Sequence, residues 1–69
     1  MLMASETYTV TGMTCGHCAA SVREEIEEIP GVQNVDVTVD SGRVEVTSET
    51  PLDREAVARA VTEAGYQLV

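Results

Sequence analysis

Both cysteines of the chain and its only histidine lie in one short stretch, Gly12-Met13-Thr14-Cys15-Gly16-His17-Cys18. Two thiols at this spacing support either of two chemistries. They trade electrons as a dithiol/disulfide couple, or they stay reduced and hold a metal ion. Both chemistries run through the thiolate. The β-branched run Thr7-Tyr8-Thr9-Val10-Thr11 reads as a strand that ends at Gly12. A helix is predicted to start beside the cysteines, with Cys15 in the loop and Cys18 in or near its first turn. Unpaired N–H groups and the positive end of the helix dipole then favour the ionised thiols. That electrostatic help serves both chemistries and does not choose between them.

The elements that must position the pair are legible from periodicity. Ala19, Val22, Ile26 and Ile29 recur at helical spacing among Glu24, Glu25, Glu27 and Glu28, and Pro30-Gly31 marks the stop. Val35, Val37 and Val39 alternate with polar residues, as do Val44 and Val46. Asp40-Ser41-Gly42 between the two runs predicts a hairpin with one buried face. Asp53 is a suitable N-cap for a second helix with an apolar stripe of Val57, Ala60, Val61 and Ala64, and Gly65 suits its C-terminal cap. Tyr66-Gln67-Leu68-Val69 reads as a short final strand. The order β-α-β-β-α-β predicts an α+β, ferredoxin-like fold: a four-stranded antiparallel sheet with both helices on one face. Residues 1–69 form one domain, without internal repeats or a linker.

Composition narrows the function. The 69 residues carry a net charge of -8, with 12 acidic and 4 basic side chains. Nucleic acids and anionic membranes need basic surface, so neither is an expected partner. No stretch approaches the roughly 20 apolar residues of a membrane span. The first residues lack the basic and apolar regions of a signal peptide. The expected location is therefore the cytosol, where thiols stay reduced. The initial methionine and the completion of the last strand favour a free-standing protein over a domain cut from a transporter.

Cys15-Gly16-His17-Cys18 matches the active-site tetrapeptide of protein disulfide isomerases. That family, however, has tryptophan where this chain has Thr14. It also uses a longer fold with a proline loop facing the thiols. Neither Pro30 nor Pro51 reads as such a loop. The sequence therefore disfavours a thiol–disulfide oxidoreductase, and no enzymatic activity is expected. A closed zinc site takes four ligands, and this chain offers two cysteines and one histidine. No carboxylate adjoins the pair. Two soft thiolates alone suit copper(I), which thiolate ligands select and which accepts low coordination. The same exposed pair can pass the ion on when an incoming thiolate adds before an old bond breaks.

With these residues in view, the chain resembles the heavy-metal-associated domain family, and within it the small bacterial copper(I) chaperones. The likeness rests on Gly12-Met13-Thr14-Cys15-Gly16-His17-Cys18, then Ala19-Ala20-Ser21-Val22, Ile29-Pro30-Gly31-Val32 and Ala64-Gly65-Tyr66. It implies that Cys15 and Cys18 bind the metal, that Met13 packs beneath the loop, and that Tyr66 lies close to the site. Zinc-exporting members commonly have aspartate in place of Thr14, and eukaryotic copper chaperones usually have lysine in place of Tyr66. The implied recipient is the N-terminal domain of a copper-exporting P-type ATPase, with a copper-responsive repressor as a second client. Mercury(II) shares the dithiolate preference. A regulatory domain of a metal-transporting ATPase, and a mercury(II) or zinc carrier, are the alternatives.

Each neighbour of the pair has more than one reading. Met13 is a soft thioether ligand or a core filler, and its place at a strand end favours the core. His17 is a third ligand, a bridge in a copper-linked homodimer, or an exposed side chain without a direct role. Tyr66 shields the metal, donates to a cysteine sulfur, or closes the edge of the core. The glutamates 24, 25, 27 and 28 are a docking face or the solvent side of an amphipathic helix.

Overall fold

Six elements follow one another in the order the periodicities predict. The computed structural model describes residues 3–14 and 16–69. In it β1 spans Ala4–Thr11, α1 Gly16–Glu27, β2 Val32–Thr38, β3 Arg43–Ser48, α2 Arg54–Glu63 and β4 Gln67–Leu68. The sheet order is β2-β3-β1-β4, with every neighbouring pair antiparallel. This is the ferredoxin-like arrangement.

Period-2 alternation gives the sheet one apolar face. Tyr8 and Val10 of β1, Val35 of β2, and Val44 and Val46 of β3 meet Val22 and Ile26 of α1 and Val57, Ala60 and Val61 of α2 in a single core. Tyr8 lies opposite Val44, which in turn lies opposite Val37, so the apolar positions are in register across three strands. Val22, Ile26, Val44, Val57 and Val61 are all 0% exposed. Each such side chain contributes about 1.5–3 kcal/mol on burial, which suits a chain without phenylalanine or tryptophan. Tyr8 is buried as well, and its hydroxyl donates to Glu6 Oε2 at 2.8 Å. Burial first, and then that bond to the carboxylate, raise its pKa to about 12.

Some boundaries differ from expectation. α1 stops at Glu27, so Ile29 lies beyond the helix and packs against the core from the following turn. Pro30 disfavours the helical conformation at the residue before it. The clustered carboxylates also sit at the negative end of the helix dipole. The chain leaves α1 through tighter bonds, from Glu28 N–H to the Glu25 carbonyl (3.3 Å) and from Ile29 N–H to the Ile26 carbonyl (3.0 Å). Val39 belongs to the hairpin turn and not to β2, because its carbonyl accepts the Gly42 N–H at 3.3 Å. β1 is longer than the β-branched run, since pairing with β3 extends it back to Ala4. β4 is only two residues long. Its continuation is held by Val69 N–H to the Thr9 carbonyl (2.8 Å) and by Arg54 Nη2 to the Val69 carbonyl (2.6 Å).

The register fixes which loops share an end of the molecule. β1 runs towards Thr11 and Gly12, β3 starts at Arg43 opposite Thr9, and β4 starts at Gln67 opposite Thr11. The loop carrying the cysteine motif, the 39–42 turn and the α2–β4 connection are therefore all at one end. The 28–31 and 49–53 connections are at the other.

Candidate metal centre

Gly12 begins the site. Its φ of +95° turns the chain out of β1 through a region that side-chain-bearing residues rarely occupy. Met13 follows and is only 9% exposed, within the core cluster. Its side chain therefore forms the floor of the loop, as the core reading of this residue expected. Thr14 is exposed. Cys15, the first of the two expected ligands, lies outside the described residues.

α1 starts at Gly16, which places Cys18 in its first turn as predicted. Cys18 is half-buried and packs against the core. The reason is helical spacing: Cys18, Val22 and Ile26 are four residues apart, and the latter two are fully buried. The inner stripe of α1 thus runs from the sulfur into the core. The Thr14 hydroxyl lies 3.9 Å from Cys18 Sγ, within reach of a weak sulfur hydrogen bond. No acidic residue falls in the first turn of α1. The positive end of this helix consequently meets no carboxylate of its own in that turn, and a thiolate there is favoured.

Tyr66 reaches the same loop from the other end of the chain. It follows α2, whose C-terminus closes in a Schellman motif. Gly65 N–H donates to the Thr62 carbonyl at 2.9 Å, and Tyr66 N–H donates to the Val61 carbonyl at 3.0 Å. Gly65 supplies the left-handed residue this closure needs, at φ +96°. The Tyr66 ring then packs against the core and lies on Gly12: a Cβ built at Gly12 would be 3.2 Å from Tyr66 Cδ1. The structure thus brings Met13, Thr14, Cys18 and Tyr66 to one place. His17 is exposed on α1. Among the described residues, no group of three or more His, Cys, Asp and Glu side chains converges as a metal-binding set. The sequence flags every one of these side chains; it reads Gly12 as the end of a strand and the first residue of the motif, without a contact of its own. Its signal is the glycine placed directly between a strand and a cysteine motif.

The arrangement suits a soft ion. A half-buried Cys18 on the first turn of a helix supplies one soft sulfur donor. Among the described residues, no helix is long and apolar enough to cross a membrane.

Comparison with known proteins agrees with this geometry. A family model described as "Heavy-metal-associated domain" matches residues 7–67. The COP-associated protein of Helicobacter felis is 37% identical over 59 residues, covering 86% of this chain and 89% of that protein. Mercuric reductase of Shigella flexneri is 38% identical over 61 residues, which cover 88% of this chain and only 11% of that enzyme. The solved structure of a CopZ metallochaperone superposes with a TM-score of 0.88 at 31% identity, covering 96% of this chain and all of the other. A copper binding domain from HMA7, a P-type ATPase, superposes with a TM-score of 0.85 at 26% identity over 94% of this chain and 89% of that domain.

Proposed function

The chain belongs to the heavy-metal-associated domain family, and on that premise we propose that it is a cytosolic copper(I) chaperone, a carrier and not an enzyme. Cys15 and Cys18 hold one copper(I) as a dithiolate. The observation that carries this reading is the placement of Cys18: half-buried in the first turn of α1, with Val22 and Ile26 anchoring the helix behind it. A helix anchored in the core holds the Cys18 sulfur. Two thiolates and one monovalent cation leave a net charge of -1, which the helix N-terminus partly offsets.

Transfer follows from the low coordination number. A thiolate of the recipient adds to the bound ion, giving a three-coordinate intermediate. One of the chain's own sulfurs then leaves, a second recipient thiolate adds, and the last original bond breaks. No oxidation state changes, and the ion is never free. Tight holding and rapid transfer are thereby compatible. The recipient we infer is a copper-transporting P-type ATPase, through an N-terminal domain of the same fold. The structural likeness to a copper binding domain of a P-type ATPase supports that choice. A copper-responsive repressor is a further client of the same exchange chemistry.

Mercury(II) is the second reading, favoured by the sequence likeness to a mercuric reductase. Anaerobic titration with copper(I) against a competing chelator tests the proposal. The expected result is one tightly held ion per chain, lost in the C15S/C18S double variant. The same titration with mercury(II) and zinc(II) ranks the metals. Tighter binding of zinc than of copper(I) would overturn the copper assignment.

A further inference from the structure

Gly12 and Tyr66 meet one step beyond the Thr11–Gln67 pair that ends the β1–β4 ladder, where the cysteine loop leaves β1 and the α2 closure enters β4. Gly12 is the first residue of the cysteine loop, and Tyr66 is the last residue of the α2 closure. A Cβ at Gly12 would sit 3.2 Å from Tyr66 Cδ1 and 4.0 Å from Cε1. The first distance is tighter than the optimal separation of carbon atoms, about 3.5–4.0 Å, so the ring would have to give by a few tenths of an ångström to admit a methyl group. The ring edge occupies the space a side chain at Gly12 would need. Gly65 provides the contrast: its φ is also left-handed, at +96°, but a Cβ there would meet nothing within 4 Å. Left-handed geometry therefore accounts for Gly65, whereas Gly12 has a second reason to lack a side chain.

The ring has little freedom to move aside. Its backbone is fixed by the bond from Tyr66 N–H to the Val61 carbonyl at 3.0 Å. Two residues on, Leu68 pairs with Val10 of β1. Its side chain is half-buried against the core. On the other side of the contact, the loop is pinned one residue later by the buried Met13.

We propose that Gly12 and Tyr66 act as one positioning unit: the bare Cα of Gly12 is the seat of the Tyr66 ring, and the seated ring holds the cysteine loop against the C-terminal closure of α2. The unit sets how readily the loop moves, and hence how fast the thiolate pair releases its ion. Neither residue needs to touch the metal for this. The consequence for metal release rests on the dithiolate reading above. The seat itself does not.

A double-mutant cycle separates the two. G12A, Y66A and G12A/Y66A are first compared with the parent in the metal-free state by denaturant unfolding. The left-handed strain that G12A introduces acts in both backgrounds, but the collision of its methyl group with the ring acts only when Tyr66 is present. G12A is expected to shift the unfolding equilibrium at least about fivefold more in the parent than in the Y66A background, within the range for residues in contact. Equal shifts in the two backgrounds would overturn the seat. If G12A fails to fold and G12A/Y66A folds, the coupling is confirmed in its extreme form.

The second readout is the rate at which bound copper(I) passes to a competing chelator. G12A and Y66A are each expected to speed it on the order of tenfold, as for losses of groups that orient metal ligands. The double variant should be no faster than the faster single one. In the metal-free cycle, Y66F keeps the ring and should preserve the coupling with G12A. Unchanged release in Y66A would overturn the positioning role. Failure of the parent to bind copper(I) at all would instead defeat the functional reading, and the metal-free cycle would still decide the seat.

Discussion

The two helices lie on the same sheet and are stabilised in different ways. α2 is well closed at both ends. Asp53 caps its start by accepting the Glu55 N–H at 3.1 Å, Glu55 places a negative charge in the first turn, and the Schellman motif satisfies its last carbonyls. α1 has no acidic residue in its first turn and no basic residue in its last. Its charges oppose its own dipole, with Glu24, Glu25 and Glu27 near the negative end. Its ion pair, Arg23 Nε to Glu27 Oε2 at 3.8 Å, joins side chains 56% and 47% exposed, a type that contributes roughly 0–1 kcal/mol. α1 is therefore held from within, through Val22 and Ile26. The comparison teaches that the helix bearing Cys18 is secured by the core, so that its positive end remains available to a thiolate. α2 shares that core through Val57, Ala60 and Val61 and adds caps at both of its ends.

Breaking the core anchor should have the largest effect. Ile26→Ala is expected to cost about 3 kcal/mol in denaturant unfolding. A loss below about 1 kcal/mol would show that α1 relies on something other than burial. Removing the left-handed residue of the α2 closure comes next. Gly65→Ala should cost about 1–2 kcal/mol and should speed amide hydrogen exchange at the last turn of α2 while sparing the first turn of α1. The smallest effect sharpens the electrostatic half of the contrast. His17→Glu adds a carboxylate to the first turn of α1, and His17→Gln is its neutral partner. The charged variant should be more stable than the neutral one by about 0.5 kcal/mol and should bind copper(I) about twofold more weakly, measured by chelator competition. Equal copper(I) binding in the two would mean that the open helix end does not stabilise the thiolates.

Much of this was legible in the sequence, and the exceptions have identifiable causes. The order of elements, the Asp53 cap and the Gly65 closure follow from side-chain periodicity and from residues with strong local preferences. The end of α1 was misplaced because Ile29 continues the apolar spacing, while Pro30 acts on the backbone one residue earlier. Val39 continues the alternation of β2, yet the hairpin needs its carbonyl for Gly42. Ile29 packs against the core although its backbone has left the helix, and Val39 is drawn into the turn by its backbone, conflicts that periodicity does not display. The place of Cys18 in the first turn follows from the sequence, whereas its alignment with the buried Val22 and Ile26 is hidden by an apolar stripe that also admits Ala19.

The sequence by itself determined the chemistry on offer: two thiols three positions apart, a strongly acidic chain, and a helix start next to the thiols. These depend on residue type and short-range spacing, which folding does not alter. Only the tertiary structure decided between the two readings of Met13, which is buried, and placed the Tyr66 ring on Gly12. The second contact joins residues from opposite ends of the chain. It exists because antiparallel pairing of β4 with β1 brings the end of α2 to the place where β1 stops.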